Sequence, residues 1–283
     1  MSTPGSSAPL GLAPSEMAEI VVAIAEKKAG TGSVKLFLLA ILAGMYIAFG
    51  AVFSVLSVTG MAGVWPYGFT RIIAGLTFCL GLVLVVISGA ELFTGNNLMV
   101  IAWINKRITL SAMLRNWGIV YAGNFFGSIF IAVLILASRL YTASNGELGK
   151  LMLTVADHKL HYSFLTALTL GILCNMLVCL AVWMTFSAPT SGGKILAILF
   201  PITAFIAAGF EHSVANMYVI PVAILLKGFD ASFVSTLQID TSAITWANFF
   251  VQNLLPVTLG NILGGAGLIG AFYAIIYPVK KKD

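Results

Sequence analysis

Three titratable side chains stand where a strongly apolar chain would ordinarily exclude them. Glu91, in Gly89-Ala90-Glu91-Leu92-Phe93-Thr94, and Glu211 with His212, in Gly209-Phe210-Glu211-His212-Ser213, interrupt long hydrophobic runs. A carboxylate in such a setting needs a partner or a proton. Hydrogen bonds from the unwound backbone of its own loop would meet that need for each glutamate. An imidazole exchanges a proton near neutral pH, so His212 can give or accept one. A lone buried histidine is commonly a satisfied core residue. The position of His212 after Glu211, just past a glycine, gives it a functional reading instead.

Other chemistry is poorly supported. His158 and His161 share the segment 154–164 with Asp157 and Lys159, which reads as a solvated, positively biased vestibule rather than a metal site. Cys79, Cys174 and Cys179 fall in apolar runs at spacings that fit neither a zinc site nor a redox pair. An intramembrane enzyme built on Glu91, Glu211 and His212 is the reading from a different class. It lacks a nearby second His or Cys to complete a metal site, and no serine-nucleophile motif accompanies it. No cofactor or metal is expected.

The glutamates belong to a repeat. Downstream of Glu91, Asn116 precedes Gly123-Asn124-Phe125-Phe126-Gly127; downstream of Glu211, Asn253 precedes Gly260-Asn261-Ile262-Leu263-Gly264 at the same interval. The order Gly-x-Glu, then Asn, then Gly-Asn-x-x-Gly therefore occurs once in each half. Paired helix-breaking polar segments in two related halves are a signature of transporters and channels. Glycines four apart are close-packing positions, within the bundle or between subunits. Asn124 and Asn261, set among them, are placed to hydrogen-bond the broken segments as scaffolding.

Composition supplies the setting. Of the 283 residues, 59% are hydrophobic and 9% charged, with a mean hydropathy of +1.01. A soluble domain carries about 25% charged residues, so much of this surface must face lipid. The net charge of +5 comes from lysines and arginines flanking apolar runs; they do not cluster with aromatics, and nucleic acid is not an expected partner.

The charge-free runs predict six spans, at 35–59, 67–104, 110–138, 161–187, 194–226 and 247–277. The second is broken at 89–97 and the fifth at 209–216. The connections at 139–160 and 227–246 are too short to be domains. Before the spans, residues 1–14 read as a tail. Ser15 then caps an amphipathic helix with Glu16 and Glu19 early, Lys27 and Lys28 late, and Gly30 ending it. Met17, Ile20, Val21 and Ile24 share its apolar face, which suits a helix lying on the membrane, with packing beneath the bundle as the second choice. The chain thus divides into residues 1–30 (tail and interfacial helix), 31–279 (six-span channel domain) and 280–283 (basic tail).

With the N-terminus inside, Lys27, Lys28, Lys35, Lys106, Arg107, Arg115, Lys194 and Lys280–Lys282 are inside; Arg71, Arg139, Lys150, Lys159 and Lys227 form the smaller outside set. The positive-inside bias then puts both termini in the cytoplasm. Three spans per half make the second half inverted relative to the first. Unwound backbone at membrane depth must be received by protein or a water-filled cavity. Each break also starts a half-helix, whose amino end attracts anions. Two such ends meeting near the midplane describe an anion pathway.

The chain resembles the formate/nitrite transporter family, and within it the formate channels, from about Met17 to Tyr277. The likeness rests on Gly89 to Gly95, Asn116-Trp117 with Gly123 to Gly127, Ala156-Asp157-His158-Lys159-Leu160-His161, Gly171 to Trp183, Gly209 to Met217, and Asn253 to Asn261. It implies an all-α membrane protein of two inverted three-helix repeats, an aquaporin-like protomer with broken helices 2 and 5, and one pore per protomer of a homopentamer. Two apolar constrictions would bracket His212: Phe78, Leu82 and Phe205 outside; Leu92, Phe93 and Val178 inside. Thr94 and Asn175 match polar residues facing the histidine. Lys159 matches a lysine that raises the anion potential near the pore, and the family's mobile break after Glu91 is a candidate gate.

The resemblance implies a bacterial-type inner (plasma) membrane and formate as cargo, with protons as a second partner. Nitrite or hydrosulfide on the same fold is the alternative. An ion crossing a dry constriction loses its hydration at great cost, whereas a neutral acid crosses cheaply. One mechanism therefore has Lys159 and the helix ends attract formate and His212 protonate it. The other is a simple anion channel. The amphipathic helix is placed to act as a gate at low pH.

Overall fold

The computed structural model describes residues 11–279. The predicted tail before residue 11 and the basic tail 280–283 lie outside the described residues. The elements are α1 (Pro14–Ala29), α2 (Ser33–Val58), α3 (Tyr67–Ser88), α4 (Phe93–Ile104), α5 (Leu110–Ala137), α6 (Glu147–Leu160), α7 (Phe164–Ser187), α8 (Ser191–Ala208), α9 (Ser213–Phe229), α10 (Ala231–Thr236) and α11 (Trp246–Ile276). No strand occurs among the described residues.

Six of these helices are long and apolar enough to cross a membrane: α2, α3, α5, α7, α8 and α11. The shorter apolar helices α4 and α9 continue α3 and α8 after a break. Spans 2 and 5 are therefore both broken. The breaks are shorter than the sequence suggests, covering Gly89–Leu92 and Gly209–His212, because the helices restart on side-chain caps described below.

The glycine motifs fall inside the bundle. A Cβ on Gly127 would lie 2.0 Å from the Ile41 carbonyl oxygen of α2, and one on Gly264 would lie 2.1 Å from the Ile172 carbonyl oxygen of α7. So α5 packs on α2 as α11 packs on α7, backbone against backbone. The α3 and α8 helices meet across the middle. The last span contains two π-helical stretches, Phe249–Leu254 and Leu263–Gly270. The second brings Gly265 so close to Asn175 that a Cβ would sit 2.2 Å from its Nδ2.

Three readings change. Helix α1 starts at Pro14, with Ala13 rather than Ser15 at the cap. Proline is pre-organised for a first helical position, and the Glu16 carboxylate accepts the Ala13 N–H at 2.7 Å. Met17, Ala18, Val21, Val22 and Ala25 are buried against α4, α5 and α7, so α1 packs beneath the bundle, the second of the two placements. Most of segment 154–164 is helix, the end of α6, whose buried side includes Leu153, Ala156 and Leu160.

Both described ends of the chain lie at one end of the bundle. Ser187, at the end of α7, bonds the Leu12 carbonyl at 3.2 Å, and Asn105, just past α4, accepts from the Val279 N–H at 2.9 Å.

Candidate functional site

The first break begins where Gly89 turns left-handed at φ +73°, which a residue with a Cβ rarely adopts. The chain then runs extended, and the Glu91 N–H bonds the Leu39 carbonyl of α2 at 3.2 Å. Asn124 holds the break from behind. Its Nδ2 donates to Ala40 O at 2.7 Å and Glu91 O at 2.9 Å, while its Oδ1 accepts the Phe93 N–H at 2.9 Å. That last bond caps the restarting helix from a different element.

The second break repeats this. Gly209 is left-handed at φ +77°, and the Glu211 N–H bonds Leu170 O at 3.2 Å. Asn261 donates to Gly171 O and Glu211 O, both at 2.9 Å, and accepts the Ser213 N–H at 2.9 Å.

The glutamates are held by side chains from elsewhere, not by the backbone of their own loops. Glu91 Oε2 accepts from Lys28 Nζ at 2.9 Å and Asn96 Nδ2 at 2.7 Å; Asn96 Nδ2 also reaches Asn116 Oδ1 at 2.8 Å. In the other half, Lys159 Nζ donates to Glu211 Oε1 at 2.5 Å. Asn216 Nδ2 donates to Glu211 Oε2 and to Asn253 Oδ1, each at 2.7 Å. Lys28 and Lys159 thus play matching parts, and α1 and α6 act as matching helices of the two halves. Sequence reasoning misses Lys28, Asn96 and Asn216 as site residues. The signal is present: Asn96 follows Glu91 at the interval by which Asn216 follows Glu211.

His212 breaks the symmetry. It is buried, 3% exposed, and stands at the cap of α9, where its Nδ1 accepts the Ala215 N–H at 3.0 Å. A backbone N–H can only donate, so Nδ1 carries the lone pair. The proton of the neutral ring is then on Nε2, which lies 2.8 Å from Thr94 Oγ1 in the opposite half. Asn175 steadies Thr94: its Nδ2 donates to Thr94 O at 3.3 Å, to Asn97 Oδ1 at 2.9 Å and to Asn261 O at 2.8 Å. Asn175 Oδ1 and Ser213 Oγ are buried without hydrogen-bond partners among the described residues.

The apolar candidates separate into two groups. The Phe205 ring lies 5.9 Å from the His212 ring at 28°, and Phe78 meets Phe205 edge-on at 5.6 Å. Leu82, by contrast, lines a cavity of about 460 Å³ at the α1 end, together with Glu91, Lys28 and Lys194. Leu92, Phe93 and Val178 are all buried; the Phe93 ring packs edge-on against Tyr121 at 4.8 Å and Trp117 at 6.1 Å. Lys159 is paired with Glu211, so its charge is compensated. His158 and His161 stay away from His212: His158 Nδ1 is 3.3 Å from the Tyr162 hydroxyl, and His161 Nδ1 is 3.5 Å from an Asp157 carboxylate oxygen. No group of three potential metal ligands occurs among the described residues.

A family profile described as "Formate/nitrite transporter" matches residues 15–275. The chain belongs to the formate/nitrite transporter family. It is 40% identical over 276 residues to "Formate channel FocA" of Escherichia coli (strain K12), covering 96% of each chain. It is 42% identical over 267 residues to the protein of the same name in Haemophilus influenzae (strain ATCC 51907 / DSM 11121 / KW20 / Rd), covering 93% of this chain and 94% of that one. A solved structure titled "Pentameric formate channel with formate bound" superposes with a TM-score of 0.81 at 44% identity, covering 87% of this chain and 97% of that chain. In this formate/nitrite transporter the two breaks therefore lie in a multi-pass membrane protein of a channel and transporter family.

Proposed function

We propose that the protein is a channel for formate, or a closely similar small weak-acid anion, with one pore in each protomer of a homopentamer. The observation that carries this is the meeting of two broken helices at the His212–Thr94 hydrogen bond, in a chain 40% identical to named formate channels. Phe78 and Phe205 form the outer apolar constriction; Leu92, Phe93 and Val178 form the inner one, and Leu82, which lines the cavity at the α1 end, belongs to the inner side rather than the outer. Asn175 and Thr94 supply polar contacts between them. The α1 end is cytoplasmic, in a bacterial-type inner membrane, as the lysine and arginine bias favours.

Two mechanisms use this site differently. In the first, His212 protonates formate so that the neutral acid crosses the second constriction. For that the ring must first gain a proton on Nδ1, which breaks its cap on Ala215. In the second, the neutral ring offers only its Nε2–H as a hydrogen bond, and the anion passes as an anion. The Nδ1 cap favours the second. Uptake of formate, nitrite, lactate and chloride into liposomes holding the purified protein, with internal pH recorded, tests both. Formate flux with matching internal acidification beyond a protein-free control supports protonation. Formate flux without it leaves a plain anion channel, a preference for nitrite reassigns the cargo, and no flux removes the proposal.

A further inference from the structure

The cavity at the α1 end contains two lysines and one glutamate along its wall, and they are not equivalent. Lys28 Nζ is held by Glu91 at 2.9 Å and Asn96 at 2.6 Å. That pair is electrically neutral and its bonds are used within the protein. Lys194, in the first turn of α8, gives its backbone N–H to the Thr190 carbonyl at 3.0 Å, but its ammonium group has no hydrogen bond or ion pair among the described residues. It lines the cavity beside the carboxyl end of α3 at Val85, Val86 and Gly89.

The other mouth offers a comparison. Arg71, near the start of α3, reaches the carboxyl end of α8 and donates to Ala207 O at 3.0 Å and to Ile206 O. Lys159 is taken up by Glu211. Of these four cations, three are bound to acceptors in the protein, and the Lys194 ammonium faces a cavity with no bonded partner among the described residues. A cleft with low-dielectric walls and one sign of net charge concentrates ions of the opposite sign.

Resting on the channel reading above, we infer that Lys194 is the cation that gathers small monovalent anions at the cytoplasmic mouth, with Lys28 serving to fix Glu91. Lys194 is a half-exposed residue at a helix start. Its replacement should leave folding and assembly unchanged and alter only the local anion concentration.

The test is formate flux through liposomes at low formate concentration, in about 10 mM and about 1 M ionic strength, where the screening lengths are about 30 and 3 Å. Lys194→Gln is expected to lower flux roughly three- to tenfold at low ionic strength, for a unit charge felt across a partly enclosed cleft. Lys194→Arg should restore it, and at high ionic strength all three proteins should coincide. Wild-type flux in Lys194→Gln at low salt, or a deficit that high salt leaves in place, overturns the assignment. A wild-type protein that moves no formate at either salt removes the channel reading, and this inference with it.

Discussion

Lys28 of α1 bonds Glu91 of the first break across 63 residues of sequence, at 2.9 Å. Their side chains are 23% and 11% exposed, so the pair is largely but not fully withdrawn from water. Removing one partner of such a pair strands the other charge. Lys28→Met is therefore expected to destabilise the protein by roughly 1–3 kcal/mol, below the figure for a fully buried pair because solvent screens this one. Adding Glu91→Gln should recover part of the loss. Thermal unfolding of the purified protein in detergent measures both; equal melting of Lys28→Met and wild type would mean that the pair carries no stability.

Asn124 and Asn261 make the same three bonds in opposite halves. Truncating either to alanine removes the partner of a buried helix-start N–H and of the break's glutamate carbonyl, while the Ala40 and Gly171 carbonyls keep their bonds within α2 and α7. Each such group costs about 1–3 kcal/mol. Asn124→Ala and Asn261→Ala should both lower stability and flux, to similar extents if the halves are equally scaffolded. Full flux in either variant would show that its break needs no anchor.

Both breaks are legible in the chain because glycine and glutamate are poor residues for a lipid-exposed helix and occur together twice. The six spans follow from runs without charge. Helix α6 is not legible: its stretch of Asp157, His158 and Lys159 looks like a loop, and its apolar face, Leu153, Ala156 and Leu160, is short. The break lengths are hidden because the first N–H of each restarting helix, Phe93 and Ser213, is taken by an asparagine of α5 or α11 far along the chain, with only His212 capping from a neighbouring position. The Lys28 partnership is hidden by distance along the chain, although Lys159 and Glu211 form its counterpart in the other half.

Close helix contact makes a sharp size prediction. Gly264→Ala would drive a Cβ to 2.1 Å from a backbone oxygen, whereas a Cβ on Gly118 meets nothing within 4 Å. The first variant should misassemble or lose most of its yield, and Gly118→Ala should behave as wild type in size-exclusion profile and melting. A well-folded Gly264→Ala protein would show that α7 and α11 can separate.

Asp230 caps α10, accepting the Phe233 N–H at 3.0 Å, and its carboxylate also accepts from the Tyr141 hydroxyl at 2.7 Å. The Phe233 bond first, then Tyr141, lowers its pKa to about 2. A depressed carboxylate stabilises the fold above its ordinary pKa of 3.8 and loses that contribution as pH falls toward about 2. Between those values wild type should lose stability with falling pH more steeply than Asp230→Asn. Parallel melting curves across that window would sink the assignment.

His212→Asn separates the two mechanisms at the site itself. Asparagine is a good helix cap, so it can keep the bond to Ala215 that Nδ1 makes while removing the titratable ring. If His212 passes protons, the variant should lose formate-linked acidification while any residual anion flux becomes independent of pH. If the ring only donates a hydrogen bond, the asparagine amide can replace that donor in part, and flux should fall by a modest factor with its pH dependence intact. Thr94→Val gives the complementary reading, since it leaves the ring free to titrate but removes its 2.8 Å partner. Under the protonation mechanism Thr94→Val should shift the pH profile. Under the anion mechanism it should change flux by a constant factor across pH, and parallel profiles for wild type, His212→Asn and Thr94→Val would exclude His212 as a proton donor.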